Sequence, residues 1–396
     1  MRTLKIIKML FSIAPVALTF LTLIFPATAT PQLPPRRPKF YYGHDISSVK
    51  WLEDSGASFK DSARHNKTRP LEDILGDGGM NAARLRLWVD PPSGDHNLEY
   101  NLELASRLYK KGYAIYLDFH FSDNWADPGK QITPAAWPTT FDALSKTLRN
   151  YVKDTLIAFH KAGIDLAIVS LGNEVTHGML WPLGYATIDI HPKSSRIANF
   201  TDFARLYTSA RGGVDDAVRR GVSKPDTMLH LSFGWNSTLQ EIFYETLIET
   251  GIVKPADWDV FGISFYPWNG LRATYDNLRK TIGVFTSPPY VKPVHVVETD
   301  YPVSCPALNI SNADRLTLSP QGQTDWVREV VDILKETPKN LGRGIWYWEP
   351  ASIDNPPLGS ACEDVLLFDR QITSDSKLVG YSRESVNMYK PKKRHE

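Results

Sequence analysis

Short runs of β-branched and aromatic residues alternate with longer amphipathic segments along most of the chain, and this alternation limits the possible folds more than any other feature. Eight runs have the character of strands, at 40–45, 83–89, 114–121, 166–172, 228–233, 260–266, 294–298 and 344–348. Between them, apolar residues recur at intervals of three and four, as in helices, most clearly at 102–111, 141–162, 203–220 and 326–336. The alternation predicts an α/β protein with a parallel sheet.

The spacing of the strands favours a closed barrel over an open sheet. Strand ends recur about every 43 residues, as expected for eight βα units. No glycine-rich dinucleotide-binding motif follows the first strand, which argues against the alternative, an open doubly wound sheet. Three helical segments stop at a glycine just before the next strand, Gly112, Gly163 and Gly221, which is typical of a left-handed C-terminal stop.

We therefore predict a single (β/α)8 TIM barrel over residues 40–368. The chain length alone would suggest two domains, but α/β barrels of this size fold as one unit. A proline-rich leader at 30–39 precedes the predicted barrel. A polar, basic tail at 369–396 follows it and is expected to be solvated.

The first 29 residues have the pattern of a secretory signal peptide. Three basic residues precede an apolar run over 9–25, and the small residues of 27–29 follow it. The alternative is a single membrane-spanning helix, which Pro15 and the lack of a charged flank after the run disfavour. We expect cleavage after Ala29 and a secreted, extracellular protein.

The charge of the chain gives no indication of a polyanionic partner. Loss of the three basic residues of the leader reduces the 45 basic residues to 42, against 44 acidic ones, so the formal charge becomes −2. We expect no nucleic-acid partner and no membrane partner. No interface between copies of the chain is recognisable, and a monomer is the expected state.

Export also bears on the cysteines and on glycosylation. Cys305 and Cys362 are the two cysteines, and an even count in an exported chain favours one disulfide. Four Asn-X-Ser/Thr sequons would be glycan acceptors in a eukaryotic host: Asn66, Asn199, Asn236 and Asn309.

Two carboxylates lie where a barrel of this type carries its reactive groups, at the C-terminal ends of strands. Glu174 follows the fourth predicted strand and Glu298 ends the seventh. Strands three steps apart in an eight-stranded ring face each other across its opening. Acetal cleavage needs a carboxylic acid and a carboxylate, and a separation of about 5 to 5.5 Å between them gives retention of configuration.

We predict Glu174 as the acid/base and Glu298 as the nucleophile. Partial burial and the charge of Glu298 would keep Glu174 protonated, while donors such as the Tyr266 hydroxyl would keep Glu298 ionised. The alternative is that each glutamate only forms a salt bridge.

Other polar residues at strand ends are candidates for binding the substrate. Asn173 is suited to the sugar hydroxyl beside the reacting carbon. Arg84 and Arg86 share one side of the second strand, and we favour Arg86, nearer the C-terminal end, as the one that fixes the nucleophile. His120 is expected to donate to the substrate, the alternative being a histidine satisfied by a neighbouring backbone group.

Tryptophans are numerous, with 11 in the chain, and several lie where the floor of a cleft would be. The faces of a sugar ring consist of C–H groups that stack on aromatic rings. Five tryptophans lie at or just beyond strand ends: Trp88, Trp125, Trp235, Trp268 and Trp348. We select Trp88, Trp125, Trp235 and above all Trp348 as substrate-binding residues, the alternative for each being a place in the core.

Other kinds of site lack their motifs. The sequence contains no His-Glu-x-x-His zinc helix, Cys/His cluster, phosphate-binding P-loop or Gly-x-Ser-x-Gly elbow. We therefore expect no metal and no cofactor, and a hydrolase that acts on a neutral polysaccharide.

Several longer stretches resemble the arabinogalactan endo-β-1,4-galactanases of glycoside hydrolase family 53, and the resemblance extends from Gly43 to beyond Cys362. The most specific stretches are 84–91 (RLRLWVDP), 116–128 (YLDFHFSDNWADP), 170–174 (SLGNE), 262–267 (GISFYP), 296–299 (VVET) and 347–350 (YWEP).

The resemblance implies internal cleavage of β-1,4-galactan, a side chain of pectin, with retention, and it assigns the acid/base to Glu174 and the nucleophile to Glu298. It also implies that a Cys305–Cys362 disulfide, a fungal feature, joins the loops after the last two barrel strands, where bacterial relatives carry calcium. Three places depart from the family pattern, His44, Tyr301 and the pair Ser232-Phe233. We expect these departures to change subsite affinity more than the reaction.

Two alternatives stay open at this point. A β-mannanase or endoglucanase of the same clan would use the same two glutamates. A sugar-binding barrel without catalytic activity is the alternative from another class of protein, and the presence of both carboxylates argues against it.

Overall fold

The computed structural model describes residues 37–305, 310, 316–354, 362 and 364–391. The strands of these residues are β1 (Tyr41–Asp45), β2 (Ser58–Asp61), β3 (Lys67–Thr68), β4 (Ala82–Leu87), β5 (Ala114–Phe119), β6 (Leu166–Leu171), β7 (Asp226–Leu231), β8 (Val260–Ser264), β9 (Val294–Thr299), β10 (Gly342–Tyr347), β11 (Phe368–Ile372) and β12 (Leu378–Ser382). The helices are α1 (Val49–Asp54), α2 (Leu71–Asp77), α3 (Leu98–Lys110), α4 (Phe141–Lys161), α5 (Lys193–Val218), α6 (Ser237–Glu249), α7 (Tyr275–Thr286) and α8 (Pro320–Lys335).

Eight parallel strands close into a barrel in the order β1-β10-β9-β8-β7-β6-β5-β4, and β4 pairs with β1 to complete the ring. These are the eight strands predicted from the sequence, so the (β/α)8 fold is confirmed. The predicted glycine stops are also confirmed, because Gly112, Gly163 and Gly221 have φ values of 90°, 75° and 95°. Only glycine adopts this left-handed backbone without strain.

The core consists of two apolar layers. The larger one lies between the strands and the surrounding helices, and a smaller cluster of buried residues is centred on Trp346. The Trp346 ring lies 5.8 Å from that of Tyr41 and 5.1 Å from that of Tyr116 between centroids. A Cβ atom on Gly43 would be 2.0 Å from this ring, so only glycine fits on β1 at that position.

A second, four-stranded sheet corrects the prediction of a solvated tail from residue 369. Its order is β11-β12-β2-β3, so the chain beyond the predicted barrel boundary pairs with a segment near the N-terminus. Val386 and Met388 are buried, and the Tyr389 hydroxyl donates to the Gly43 carbonyl at 2.7 Å. The prediction was wrong because it relied on polar composition. Every residue of β11 except the first is exposed, so this strand is polar although it belongs to a sheet.

The predicted Cys305–Cys362 disulfide is present, and it joins the chain after β9 to the chain after β10. Of the four sequons, Asn66 is exposed, Asn199 donates its side-chain amide to the Tyr185 carbonyl, and Asn236 caps α6. Asn309, the predicted signal peptide at 1–29, most of the predicted leader and residues 392–396 of the tail lie outside the described residues.

Among the described residues, no helix combines the length and the apolar character that a membrane crossing requires.

Candidate active site

Glu298, near the end of β9, is buried and accepts three hydrogen bonds. Its Oε1 accepts from Arg84 Nη2 at 2.7 Å, and its Oε2 accepts from the Tyr266 hydroxyl at 2.9 Å and from the Ser264 hydroxyl at 3.2 Å. Burial raises the pKa of Glu298, while the positive charge of Arg84 and the bond from Tyr266 lower it. The three donors therefore favour the ionised carboxylate that a nucleophile requires.

Arg84, on β4, connects four polar side chains at the centre of the barrel opening. Besides Glu298, its guanidinium donates to Asp45 at 2.6 Å, to Asp118 at 2.7 Å and to Asn173 Oδ1 at 2.9 Å. The side chain is 1% exposed, and the neighbouring carboxylates raise its pKa well above the ordinary value. A permanently charged and immobile cation therefore lies beside Glu298.

Glu174 follows β6 with a left-handed backbone, at φ 47°. This conformation is costly for a residue with a side chain, and such residues concentrate at functional sites. Its backbone amide donates to His230 Nδ1 at 3.4 Å. Burial raises the pKa of Glu174 well above its ordinary value, and the charge of Glu298 raises it further. Glu174 is thus the member of the pair that retains its proton to higher pH.

The two glutamates face each other closely. One carboxylate oxygen of Glu174 and one of Glu298 lie within 4.8 Å of each other, and a ring nitrogen of His230 lies within the same distance of both. These three side chains are the ones at the site that could together hold a cation. However, His230 Nδ1 accepts from the Glu174 amide and its Nε2 contacts the Ser264 hydroxyl at 2.9 Å. Neither nitrogen therefore has a lone pair to spare for a metal.

A cavity of about 630 Å³ opens above the two glutamates. Its aromatic lining consists of Trp125, Phe233, Tyr266, Trp268 and Trp348. The rings of Tyr266 and Trp268 are stacked with centroids 4.4 Å apart, and Trp268 Nε1 donates to Asp300 Oδ1 at 2.7 Å. Aromatic walls around a pair of carboxylates are suited to a sugar, whose C–H faces pack on rings.

The comparison with known families agrees with this geometry. Residues 41–378, most of the chain, match the model of glycosyl hydrolase family 53. The chain belongs to this family. It is therefore a glycoside hydrolase, and the resemblance seen in the sequence is confirmed.

Individual relatives match over nearly their whole length. The arabinogalactan endo-β-1,4-galactanase A of Aspergillus niger is 40% identical over 353 residues, which cover 88% of this chain and 94% of the relative. The corresponding enzyme of Humicola insolens is 40% identical, with 83% and 94% covered. A solved structure of a fungal β-1,4-galactanase superimposes with a TM-score of 0.78 at 37% identity, covering 88% of this chain and 98% of that one.

Within this glycoside hydrolase the roles expected of Arg84 and Arg86 are reversed. Arg84 contacts Glu298, so the prediction that Arg86 fixes the nucleophile is wrong. The guanidinium of Arg86 instead donates to Glu349 and to the Ser48 hydroxyl. Both side chains point to the same side of β4, as predicted. Arg84 lies nearer the N-terminal end of the strand, and it is the one that contacts the Glu298 carboxylate.

His120 is placed by the protein itself rather than offered to the substrate. Its Nδ1 accepts from the Ala126 amide at 3.0 Å, and its Nε2 lies 3.3 Å from Asp118 Oδ2. Both ring nitrogens thus have neighbours within the protein, which favours the alternative over donation to the substrate. The alternative of a satisfied histidine describes this residue, although its ring still lines the cavity.

The predicted tryptophans divide into two groups. Trp125 and Trp348 line the cavity, and so does Trp268, which was noted at a strand end but not selected. Trp88 and Trp235 are not among the lining residues, so the structure does not bring them to the cleft. Trp88 packs between His96 and Trp125, with centroids at 4.5 and 5.3 Å. Position at a strand end gives the height of a side chain in the barrel but not the side on which its ring lies.

The departures from the family pattern divide in the same way. Ser232 and Phe233 line the cavity. His44 is instead buried against Tyr389, with centroids 5.0 Å apart, and Tyr301 is buried beside Trp326. These two positions belong to the core and do not reach the substrate cavity.

Several residues of the site were missed in the sequence. His230 and Ser264 support the two glutamates, while Asp45 and Asp118 bind Arg84. A signal for them existed, because side chains two apart on a strand share a face. Ser264 is two residues before Tyr266, and Asp118 is two residues before His120, so both could have been selected with their neighbours.

Proposed function

We propose that the enzyme is a secreted, monomeric endo-β-1,4-galactanase that cleaves the (arabino)galactan side chains of pectin with retention of configuration. The observation that carries the proposal is the approach of the Glu174 and Glu298 carboxylates to within 4.8 Å, in a site where the pKa of Glu174 is raised well above its ordinary value and three donors bind Glu298. Retaining glycosidases have a separation of about 5 to 5.5 Å between these groups, and inverting ones about 6.5 to 9.5 Å.

In the first step Glu174 gives its proton to the glycosidic oxygen while a Glu298 oxygen bonds to the anomeric carbon. The bond between that carbon and the leaving oxygen breaks, which leaves a glycosyl ester on Glu298 and an ionised Glu174. In the second step Glu174 takes a proton from water, the water oxygen bonds to the anomeric carbon, and the ester bond breaks. Both residues return to their starting states, and two inversions give net retention.

Asn173 has the position for a further role in this reaction. Its Oδ1 accepts from Arg84, and its Nδ2 donates one hydrogen to the Ala126 carbonyl at 2.7 Å. The amide carries a second hydrogen, and Asn173 lines the cavity. We assign this hydrogen to the sugar hydroxyl beside the anomeric carbon.

The choice of galactan rests on the relatives, whose names specify arabinogalactan and the β-1,4 linkage, together with their coverage of nearly the whole chain. Secretion rests on the signal-peptide pattern of residues 1–29. A β-mannanase or endoglucanase is the alternative, because the two glutamates serve any β-linked neutral sugar chain equally.

The test is a reducing-sugar assay of the secreted enzyme on potato galactan, mannan, carboxymethylcellulose and arabinan. We expect release of internal fragments from galactan, with the β-anomer as the first product detected by proton NMR. Glu174→Gln and Glu298→Gln should each reduce turnover by several powers of ten without loss of fold. Activity on mannan without activity on galactan would overturn the substrate. Near-normal turnover in either variant would overturn the mechanism.

A further inference from the structure

Arg86 and Glu349 form a buried ion pair that takes part in neither of the two chemical steps described above. Arg86 Nη1 donates to Glu349 Oε1, and the two residues are 1% and 2% exposed. Arg86 Nη2 donates to the Ser48 hydroxyl at 2.6 Å and contacts His96 Nε2 at 2.8 Å. Glu349 Oε1 also accepts from the Ser48 amide at 3.2 Å and from its hydroxyl at 2.9 Å. Further hydrogen bonds of this kind offset part of the cost of burying a charge pair.

The pair is separate from the group that holds the nucleophile. Asp45 lies between the two arginines, but its Oδ2 is 2.6 Å from Arg84 and its Oδ1 is 3.7 Å from Arg86. Arg84 has the contact with Glu298, and Arg86 has the contact with Glu349. We therefore expect a change in Arg86 or Glu349 to leave the hydrogen bonds to the nucleophile intact.

One end of the pair lies under an aromatic wall of the cavity. The guanidinium carbon of Arg86 is 4.3 Å from the ring centroid of Trp125, the distance of a cation–π contact. Arg86 has little freedom to move, because Ser48, His96 and Glu349 bind it. The Trp125 ring thus rests on a fixed, planar cation.

Glu349, the other member of the pair, holds the backbone next to Trp348. Glu349 comes directly after this tryptophan, and it has a positive φ of 37°. A non-glycine residue in this region needs outside support to stay there. The carboxylate of Glu349 receives that support from Arg86 and Ser48. The rings of Trp348 and Trp125 are tilted by 54° with centroids 6.1 Å apart. The ion pair therefore adjoins both, through the contact of Arg86 with Trp125 and the peptide bond from Trp348 to Glu349.

We propose that Arg86 and Glu349 are positioning residues that hold Trp125 and Trp348 at the angle and separation needed to stack on a galactosyl unit. The proposal rests on the proposed function, since it takes the occupant of the cavity to be galactan. It separates two tasks on one strand: Arg84 serves the chemical step, and Arg86 serves the affinity for the sugar.

The test is the kinetics of Glu349→Gln and Arg86→Lys on galactan. Glu349→Gln removes the negative charge of the pair and Arg86→Lys removes its planar guanidinium, and each keeps a similar side-chain volume. We expect KM to rise roughly tenfold with kcat within about threefold of the wild type, because stacking binds the ground state and the transition state alike. A folded variant with a lower kcat and an unchanged KM would overturn the proposal.

A matched control separates positioning from general loss of stability. Glu72 is likewise buried, at 1% exposed, and is bound by an arginine, Arg107, but Arg107, unlike Arg86, does not line the cavity. Glu72→Gln should lower the melting temperature and leave KM for galactan unchanged. A KM that rises equally in Glu72→Gln would show that destabilisation alone explains the effect.

Two further variants decide the matter if Glu349→Gln does not fold. Ser48→Ala removes one donor to Glu349 and keeps both charges, and it should raise KM about twofold to threefold. In the Trp348→Ala background Ser48→Ala should add little to KM, because the ring next to Glu349 is already absent. Full additivity of the two changes would overturn the proposal. Absence of galactan activity in the wild type would instead refute the proposed function.

Discussion

Arg84 Nη2 donates to Glu298 Oε1 at 2.7 Å, and this contact joins the second barrel strand to the seventh across the opening of the barrel. The same guanidinium is shared with Asp45 and Asp118. Three carboxylates and one guanidinium leave an excess of negative charge at the floor of the cavity. That charge opposes ionisation of Glu174 and favours the developing positive charge of an oxocarbenium ion above it.

Replacement of Arg84 should therefore reduce the chemical step. A lysine has one compact ammonium group and cannot contact Asp45, Asp118 and Glu298 together as the planar guanidinium does. We expect Arg84→Lys to lower kcat by about 10²- to 10³-fold, the usual effect of removing a preorganised donor. Steady-state kinetics on galactan, with circular dichroism to verify the fold, measure this.

An exposed arginine supplies the control for that variant. The Arg64 side chain is 58% exposed and pairs with Asp77. Arg64→Lys should leave kcat unchanged. A kcat of Arg84→Lys within twofold of the wild type would show that Arg84 does not support the nucleophile.

The pH profile should respond to Tyr266 on its acid side. The bond from the Tyr266 hydroxyl lowers the pKa of Glu298, so Tyr266→Phe raises that pKa. Glu298 must be ionised to act, and activity is lost as pH falls through its pKa. The acid limb of kcat/KM should thus move to higher pH in Tyr266→Phe, by about one unit.

The basic limb provides the internal comparison for Tyr266→Phe. It belongs to Glu174, which must be protonated, so activity is lost as pH rises through its raised pKa. This limb should move less than the acid limb. A profile in which only the basic limb moves would reverse the assignment of acid and nucleophile.

Much of this site follows from the order of strands. The alternation of strands and helices predicted the eight barrel strands, and the rule that reactive groups lie at C-terminal strand ends selected Glu174 and Glu298. Both predictions need only local sequence patterns and the regular geometry of the barrel. They succeed because the geometry of a closed barrel places fixed positions of distant strands opposite each other.

The choice between Arg84 and Arg86 could not be made in the same way. Alternation along the strand shows only that both side chains share one face. Which one meets the nucleophile depends on Glu349, 263 residues away from Arg86 in the chain, which takes Arg86 as its partner. The place of Trp88 could not be predicted for the same reason. Its contacts with His96 and Trp125 hold its ring behind the cleft.

The chain after the barrel should be required for folding. Residues 378–382 pair with β2, and Val386 and Met388 bury their side chains. Deletion of residues 369–396 would expose this apolar surface and one edge of β2. We expect the truncated protein to be insoluble or to melt at least 10 °C lower, measured by differential scanning fluorimetry. As a control, a truncated chain ending at residue 391 should melt at the same temperature as the full chain. If the chain ending at residue 368 were as stable as the full chain, the prediction of a solvated tail would be correct after all.

His44 should limit stability in acid. It is fully buried, neither ring nitrogen has a hydrogen-bond partner among the described residues, and burial lowers its pKa to about 3. In the unfolded chain its pKa is about 6.5, so below that pH the unfolded state gains a proton that the folded state does not bind. Stability from the neutral imidazole is thus complete above pH 6.5 and is lost as pH falls towards 3.

His44→Val removes both the unpaired nitrogens and this titration. At pH 7 the variant should be more stable by about 1 kcal/mol, and at pH 4 by about 3 kcal/mol more, measured by urea unfolding at both values. His160→Val, at an exposed histidine on α4, is the control and should give nearly the same small difference at both pH values. If the difference between His44→Val and the wild type were also independent of pH, then His44 would be protonated in the folded protein, and its environment would have to supply a partner for the charge.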